Sequence, residues 1–120
     1  MFADPQTVTI NAVANTLPRV GLSADTGNFM KDDGNVALVV AQNVRAKRNR
    51  RMVRLNFRKV ASDPFLAGVN TEYSMSAYLV VDVPKVGFTI AEQKQIVDAL
   101  TGYLTASTGA RVTQLLGGEL

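Results

Sequence analysis

Between Arg45 and Lys59 the chain reads RAKRNRRMVRLNFRK, and eight of its thirteen Lys and Arg residues fall in this run. Cationic groups at this density do one kind of chemistry well: they bind polyanions, donating to phosphate oxygens and displacing condensed counterions. No acid interrupts the sequence between Asp33 and Asp63, so a net charge of only +3 conceals a polarised surface. From Met52 onward the run alternates, with Met52, Arg54, Asn56 and Arg58 set against Val53, Leu55 and Phe57. A period of two describes a strand with one apolar face and one cationic, hydrogen-bonding face. A solvated hairpin tip is the plainer explanation of a short charge run. A tip, however, does not require Arg54 and Arg58 on one face of the strand that follows it.

Other chemistries are excluded by what the chain lacks. Without cysteine there is no disulfide, thiolate nucleophile or thiolate metal site, and without histidine the commonest general base and transition-metal ligand are missing. The ten acids are scattered, and the adjacent pair Asp32-Asp33 runs into Gly34-Asn35, which is turn chemistry. Gly117-Gly118 has no helix after it and so cannot serve as a phosphate loop. A carboxylate-dependent hydrolase built on Asp82 or Glu72 is the weakest reading. The expectation is a protein that is not an enzyme, with no cofactor, no metal and no small-molecule substrate.

The elements that position the basic run follow from periodicity and punctuation. At 120 residues, 47% hydrophobic and 19% charged, the chain is expected to form a single globular domain. No apolar run approaches the length needed to cross a bilayer, and MFADPQTVTI lacks the basic and apolar regions of a secretory signal. A soluble protein made in the cytoplasm, with no membrane partner, is expected. Gln6 to Ala12 alternates as a strand, Asn15-Thr16 offers a turn, and Leu17 to Leu22 returns as an edge segment limited by Pro18, giving a hairpin over residues 1–22.

The sheet proper is expected over 27–84. It contains a short strand near Asn28 to Lys31 and a β-branched strand from Asn35 to Asn43, with Val36, Leu38 and Val40 on one side and Ala37, Val39 and Ala41 on the other. The basic strand from about Arg51 to Ala61 and a long strand from Glu72 to Val83 follow, joined by a loop containing Phe65, Leu66 and Val69. Thr89 and Glu92 form a capping box, Ile96, Val97, Leu100, Tyr103 and Leu104 make one apolar helix face, and Ser107-Thr108-Gly109 breaks the helix into a pair over 89–117. The expected fold class is α+β: an antiparallel sheet with helices on its apolar face and the other face open. If the strands at 51–61 and 72–83 are neighbours, that open face carries Arg54, Asn56, Arg58, Ser76 and Tyr78. Cations to neutralise phosphate, amides to read base edges and a ring to stack an unpaired base are what single-stranded RNA requires of a protein.

The order of these features resembles the coat proteins of single-stranded RNA bacteriophages of the levivirus type. The resemblance spans nearly the whole chain: the Thr7-Val8-Thr9 hairpin, the Val-rich strand, the Lys47-Arg48-Asn49-Arg50 turn, the alternating basic strand, the long Tyr-containing strand and the capped helices. It implies an interlocked homodimer in which each subunit's helices lie over the partner's sheet, and dimers that close into an icosahedral shell around the genome. It also implies a virion location after synthesis in the bacterial host cytoplasm, and an RNA hairpin bound on the open sheet face. The RNA-binding residues expected on this basis are Asn43, Arg45, Lys47, Arg48, Arg50, Arg54, Asn56, Arg58, Ser76 and Tyr78, with Tyr78 the stacking candidate. Where better-known members line an adenine pocket with Thr and Ser, this chain has Ala37, Val39 and Ala41, so phosphate binding is implied more firmly than sequence-specific recognition. The alternative is a cellular RNA-binding module that uses the same face but stays a small oligomer.

Overall fold

A computed structural model describes residues 2–66 and 68–120. The chain divides into two compact units, Met1–Asp82 and Val83–Leu120. The first holds β1 (Gln6–Ile10), β2 (Val13–Leu17), β3 (Arg19–Leu22), β4 (Thr26–Met30), β5 (Val36–Val44), β6 (Arg48–Ser62) and most of β7 (Asn70–Pro84). Strands β1 and β2 form a separate two-stranded ribbon, and β3 to β7 form a five-stranded sheet in sequence order.

The N-terminal hairpin turns earlier than the sequence suggests. Asn11 and Ala12 sit at φ of 49° and 64°, and a two-residue loop with positive φ at both positions matches the twist of the strands it joins. Pairing then runs from Ile10 opposite Val13 to Gln6 opposite Leu17. Asn15, expected at the turn, is instead buried within β2, where its Nδ2 donates to the carbonyls of Val8 (3.2 Å) and Val13 (3.1 Å). Nor does the ribbon extend to residue 22. After Pro18 the chain leaves it, and Arg19–Leu22 becomes the edge strand of the larger sheet, antiparallel to β4. An edge strand can tolerate a neighbouring residue that has no N–H to donate.

Leu17 and Phe29 are fully buried and, with Val36 and Val40, form the core; Val8, Ile10, Leu38, Leu55 and Phe57 pack against them. Leu17 comes from the ribbon and Phe29 from the sheet, so the N-terminal hairpin is laid on the sheet's apolar face. The sequence reading assigns that task to helices; within the first unit the hairpin performs it. Farther along the same face Val53 and Met75 remain exposed.

In the second unit the helical span α1 (Ile90–Leu116) is interrupted where the sequence places its break. Its non-helical backbone runs from Ala106 to Gly109, and Ser107, Thr108 and Gly109 have φ of 55°, 57° and 79°. Arg111 bridges the bend, donating to the Tyr103 carbonyl at 3.1 Å with its guanidinium 4.2 Å from the Tyr103 ring centroid. Thr89 caps the start by accepting from the Glu92 amide at 3.2 Å, but the Glu92 carboxylate makes no return bond among the described residues, so half of the capping box is formed. No residue of α1 is buried; Ile96, Leu100 and Tyr103 are all exposed. Among the described residues no helix is long and apolar enough to cross a membrane.

Because Leu17 joins the ribbon to the sheet at a fully buried point, Leu17→Ala should lower the unfolding free energy by about 2–5 kcal/mol. Urea titration followed by circular dichroism measures this as a fall in the midpoint; an unchanged midpoint would mean that the hairpin does not close the core.

Candidate functional site

Pairing between β5 and β6 continues without a slip from Val36 opposite Phe57 to Val44 opposite Asn49. Side chains directly opposite in a ladder share a face, so Ala37 lies beside Asn56, Val39 beside Arg54, Ala41 beside Met52 and Asn43 beside Arg50, all on the side away from the core. Strand β4 adds Asn28 opposite Val39 and Thr26 opposite Ala41. The sequence reading overlooked these two because TGNFM is short and interrupted by glycine. Arg51, facing the other way, donates to Gln42 Oε1 at 3.0 Å.

Strand β7 pairs with β6, as expected, and delivers Ser76 and Tyr78 to the open face. Arg54 is the centre of the resulting cluster. Its Nε donates to Asn56 Oδ1 at 2.8 Å, its Nη2 donates to Ser76 Oγ at 3.1 Å, and its guanidinium lies 5.7 Å from the Tyr78 ring centroid. Ser76 Oγ in turn donates to Asn56 Oδ1 at 2.8 Å. Asn43, Arg50, Arg54, Asn56, Ser76 and Tyr78 are thus on one face, and by the same alternation of β6 so are Arg48 and Arg58. Tyr78 is 63% exposed, as a ring available for stacking must be.

Two acids of β7 divide the cations into two groups. Arg48 is paired with Asp82 at 3.0 Å and Arg58 with Glu72 at 3.3 Å, so the two carboxylates considered for hydrolysis serve as counter-ions. Arg58 also donates to Asn35 Oδ1 (3.4 Å) and reaches the Asp33 carbonyl (3.5 Å), tying the β4–β5 turn to β7. Gly34 gives this turn its φ of 74°, and a Cβ there would lie 3.2 Å from the Arg58 guanidinium. The Asn35 amide, aided by the Lys31 charge, holds the Asp33 carboxyl below its ordinary range.

Arg45, Lys47 and Arg50 have no side-chain hydrogen bond or ion pair among the described residues. They border a cavity of about 330 Å³ at the β5–β6 tip, with Arg48 and Asp82 on its far wall. The tip end of the hairpin is therefore the free cationic end, and the Arg58 end is internally neutralised. Only the β6–β7 register reveals this, and the intervening loop hides that register from a reading of the sequence. Among the described residues no group of His, Cys, Asp or Glu could hold a metal ion.

No family model matches the chain, and no curated protein sequence matches it. Solved structures do. The protein of the bacteriophage AVE019 virus-like particle superposes with a TM-score of 0.82 over 100% of this chain and 98% of its own, at 12% identity. That of the Beihai levi-like virus 21 particle gives 0.72 over 95% and 94% at 15% identity, and the bacteriophage GA capsid protein gives 0.68 over 98% and 95% at 10% identity. The fold is that of single-stranded RNA phage coat proteins.

On a heparin column Arg50→Ala should elute at distinctly lower salt than the unmodified protein. Arg58→Ala should elute close to the unmodified protein but melt at a lower temperature, since its guanidinium holds a turn. The reverse order of elution would contradict this division of the cations.

Proposed function

We propose that the chain is the structural coat protein of a single-stranded RNA bacteriophage: it dimerises, assembles into a closed icosahedral shell and holds RNA against the open face of its sheet. The observation that carries this is the end-to-end likeness of fold to proteins solved as virus-like particles, above all the TM-score of 0.82 over 100% of the chain. The role is structural rather than catalytic, and the location is the virion after synthesis in the host cytoplasm.

Two features of the protomer support dimerisation. Strand β7 ends the sheet order with an edge fifteen residues long, and a long edge strand is a template for another chain. Apolar surface is also left bare on both units, at Val53 and Met75 on the sheet and at Ile96, Leu100 and Tyr103 on α1. A second copy laying its helix on the sheet would cover both sets, consistent with the two-fold self-complementarity of most homo-oligomers.

The RNA contacts proposed are phosphate contacts at Arg45, Lys47 and Arg50 and base contacts at Asn43, Arg54, Asn56, Ser76 and Tyr78. Arg48 and Arg58 support these through their acidic partners. An RNA hairpin bound on this face would couple packaging to translational repression. In the proposed shell the tip cations neutralise RNA generally, and the Ala37, Val39 and Ala41 strip adds no hydrogen-bonding side chains of its own.

Electron micrographs of the purified protein should contain uniform closed shells, with an absorbance ratio at 260 and 280 nm that marks packaged nucleic acid. Small oligomers that still bind RNA would favour a cellular RNA-binding module instead. Leu100→Asp places a charge on the face a partner would cover; light scattering should find that variant unable to form particles, and normal particles would contradict the proposed dimer. For single-stranded RNA, Arg50→Ala should reduce the slope of log affinity against log salt by roughly 0.7, the value of one phosphate contact. An unchanged slope would remove Arg50 from the interface.

A further inference from the structure

The hydrogen-bonding capacity of the Arg54 cluster is used asymmetrically. Guanidinium nitrogens can only donate. Arg54 Nε lies 2.8 Å from one terminal atom of the Asn56 side chain, so that atom must be the carbonyl oxygen, and Nδ2 is the other. The same oxygen accepts from Ser76 Oγ, which occupies both of its lone pairs. Ser76 has committed its proton to Asn56 and one lone pair to Arg54 Nη2. The groups left to a ligand are Asn56 Nδ2, Arg54 Nη1, the second N–H of Arg54 Nη2 and a single lone pair on Ser76. The cluster is thus almost entirely a donor surface. It borders a depression of about 420 Å³ in the open face, walled by Met30, Ala37 and Ser74, and Arg54 links it to the exposed ring of Tyr78.

We infer that this cluster selects bases: it takes nucleobases that present acceptors, guanine through O6 and N7 or uracil through O4, and discriminates against the amino-bearing edges of adenine and cytosine. The inference rests on the RNA reading above and specifies which RNA its open face prefers. The usual bidentate pairing of asparagine with adenine requires the amide oxygen to accept from N6 while Nδ2 donates to N7. Here that oxygen is occupied, and adenine N6 or cytosine N4 would set donor against donor. Uracil replaces the cytosine amino group with a carbonyl at the same ring position, which both Asn56 Nδ2 and Arg54 Nη1 can serve. Arginine reading guanine O6 and N7 is the corresponding purine contact. Stacking on Tyr78 would add affinity without preference, since every base has a π-face.

The probes are oligouridylate and oligocytidylate of equal length, which match in charge and ring size and differ at position 4, an acceptor in uracil and a donor in cytosine, and in the opposite sense at N3. Fluorescence anisotropy with the full chain, freed of copurified nucleic acid, should give roughly tenfold tighter binding of oligouridylate, the scale of one good base contact. Asn56→Asp keeps the shape but exchanges the donating Nδ2 for an acceptor. It should weaken both complexes and bring the ratio to unity or reverse it. Ser76→Ala frees a lone pair on the Asn56 oxygen and should narrow the preference, which keeps the test decisive if Asn56→Asp fails to fold. Equal binding of the two probes by the unmodified protein, or a preference untouched by both variants, would overturn the inference while leaving the RNA reading intact. Failure of both probes to bind at low salt would overturn the inference and the RNA reading together.

Discussion

The structure depends on an uninterrupted register. Nine consecutive pairs join β5 to β6 without a bulge; because side chains alternate with a period of two, a slip by one residue would carry Arg54 and Asn56 into the core and Leu55 and Phe57 into water. Burial of Val36 and Val40, with Leu38, Leu55 and Phe57 packed alongside, makes that slip costly. The cationic face is therefore specified from behind. What fixes each guanidinium group in place is the apolar side chain before and after it, held under the N-terminal hairpin by Leu17.

Once the face is fixed, the acids of β7 determine what it can do. Exposed ion pairs such as Arg48–Asp82 and Arg58–Glu72 contribute at most about 1 kcal/mol each to stability. Their larger effect is on the distribution of charge. They remove two of the cations from competition for a polyanion and leave Arg45, Lys47 and Arg50 at the hairpin tip. Arg54 lies between these extremes: it keeps its charge, but Asn56, Ser76 and Tyr78 restrict its orientation. A planar cation held by two hydrogen bonds and a ring loses less conformational freedom on meeting a ligand than a free side chain does.

Much of this was legible from residue order. The facing of β5 and β6 follows from alternation in VALVVAQN and MVRLNFRK, because one face must be apolar for the sheet to bury anything. The β4–β5 turn follows from Asp33-Gly34, and the helix start from Thr89. The N-terminal turn did not follow, because Asn15-Thr16 is the stronger local turn signal and Asn11-Ala12 the weaker. Asn15 found buried partners in the carbonyls of Val8 and Val13, and the demands of packing overrode propensity. The ion pairs of Arg48 and Arg58 were illegible for a different reason. They depend on the exact pairing of two long strands across the 62–71 connection, whose effective length cannot be read from its composition. The helix break, by contrast, was legible, since Ser107-Thr108-Gly109 are residues whose backbone leaves the right-handed helical region, at φ of 55°, 57° and 79°.

The exposed apolar surface and the free cations bear on one another in the proposed shell. Val53 and Met75 on the sheet and Leu100 and Tyr103 on α1 give each protomer a reason to associate. Gathering copies also gathers the tip cations, and like charges brought within a Debye length of about 8–10 Å oppose assembly. The pairing of Arg48 and Arg58 within the protomer lowers that opposition without outside help, whereas Arg45, Lys47 and Arg50 remain to be neutralised. A bound polyanion removes the remaining repulsion at the positions where the fold leaves it uncompensated. Shell closure and RNA capture then become linked equilibria, each favoured by the other, and the coupling resides in the three tip residues rather than in the total charge of the chain.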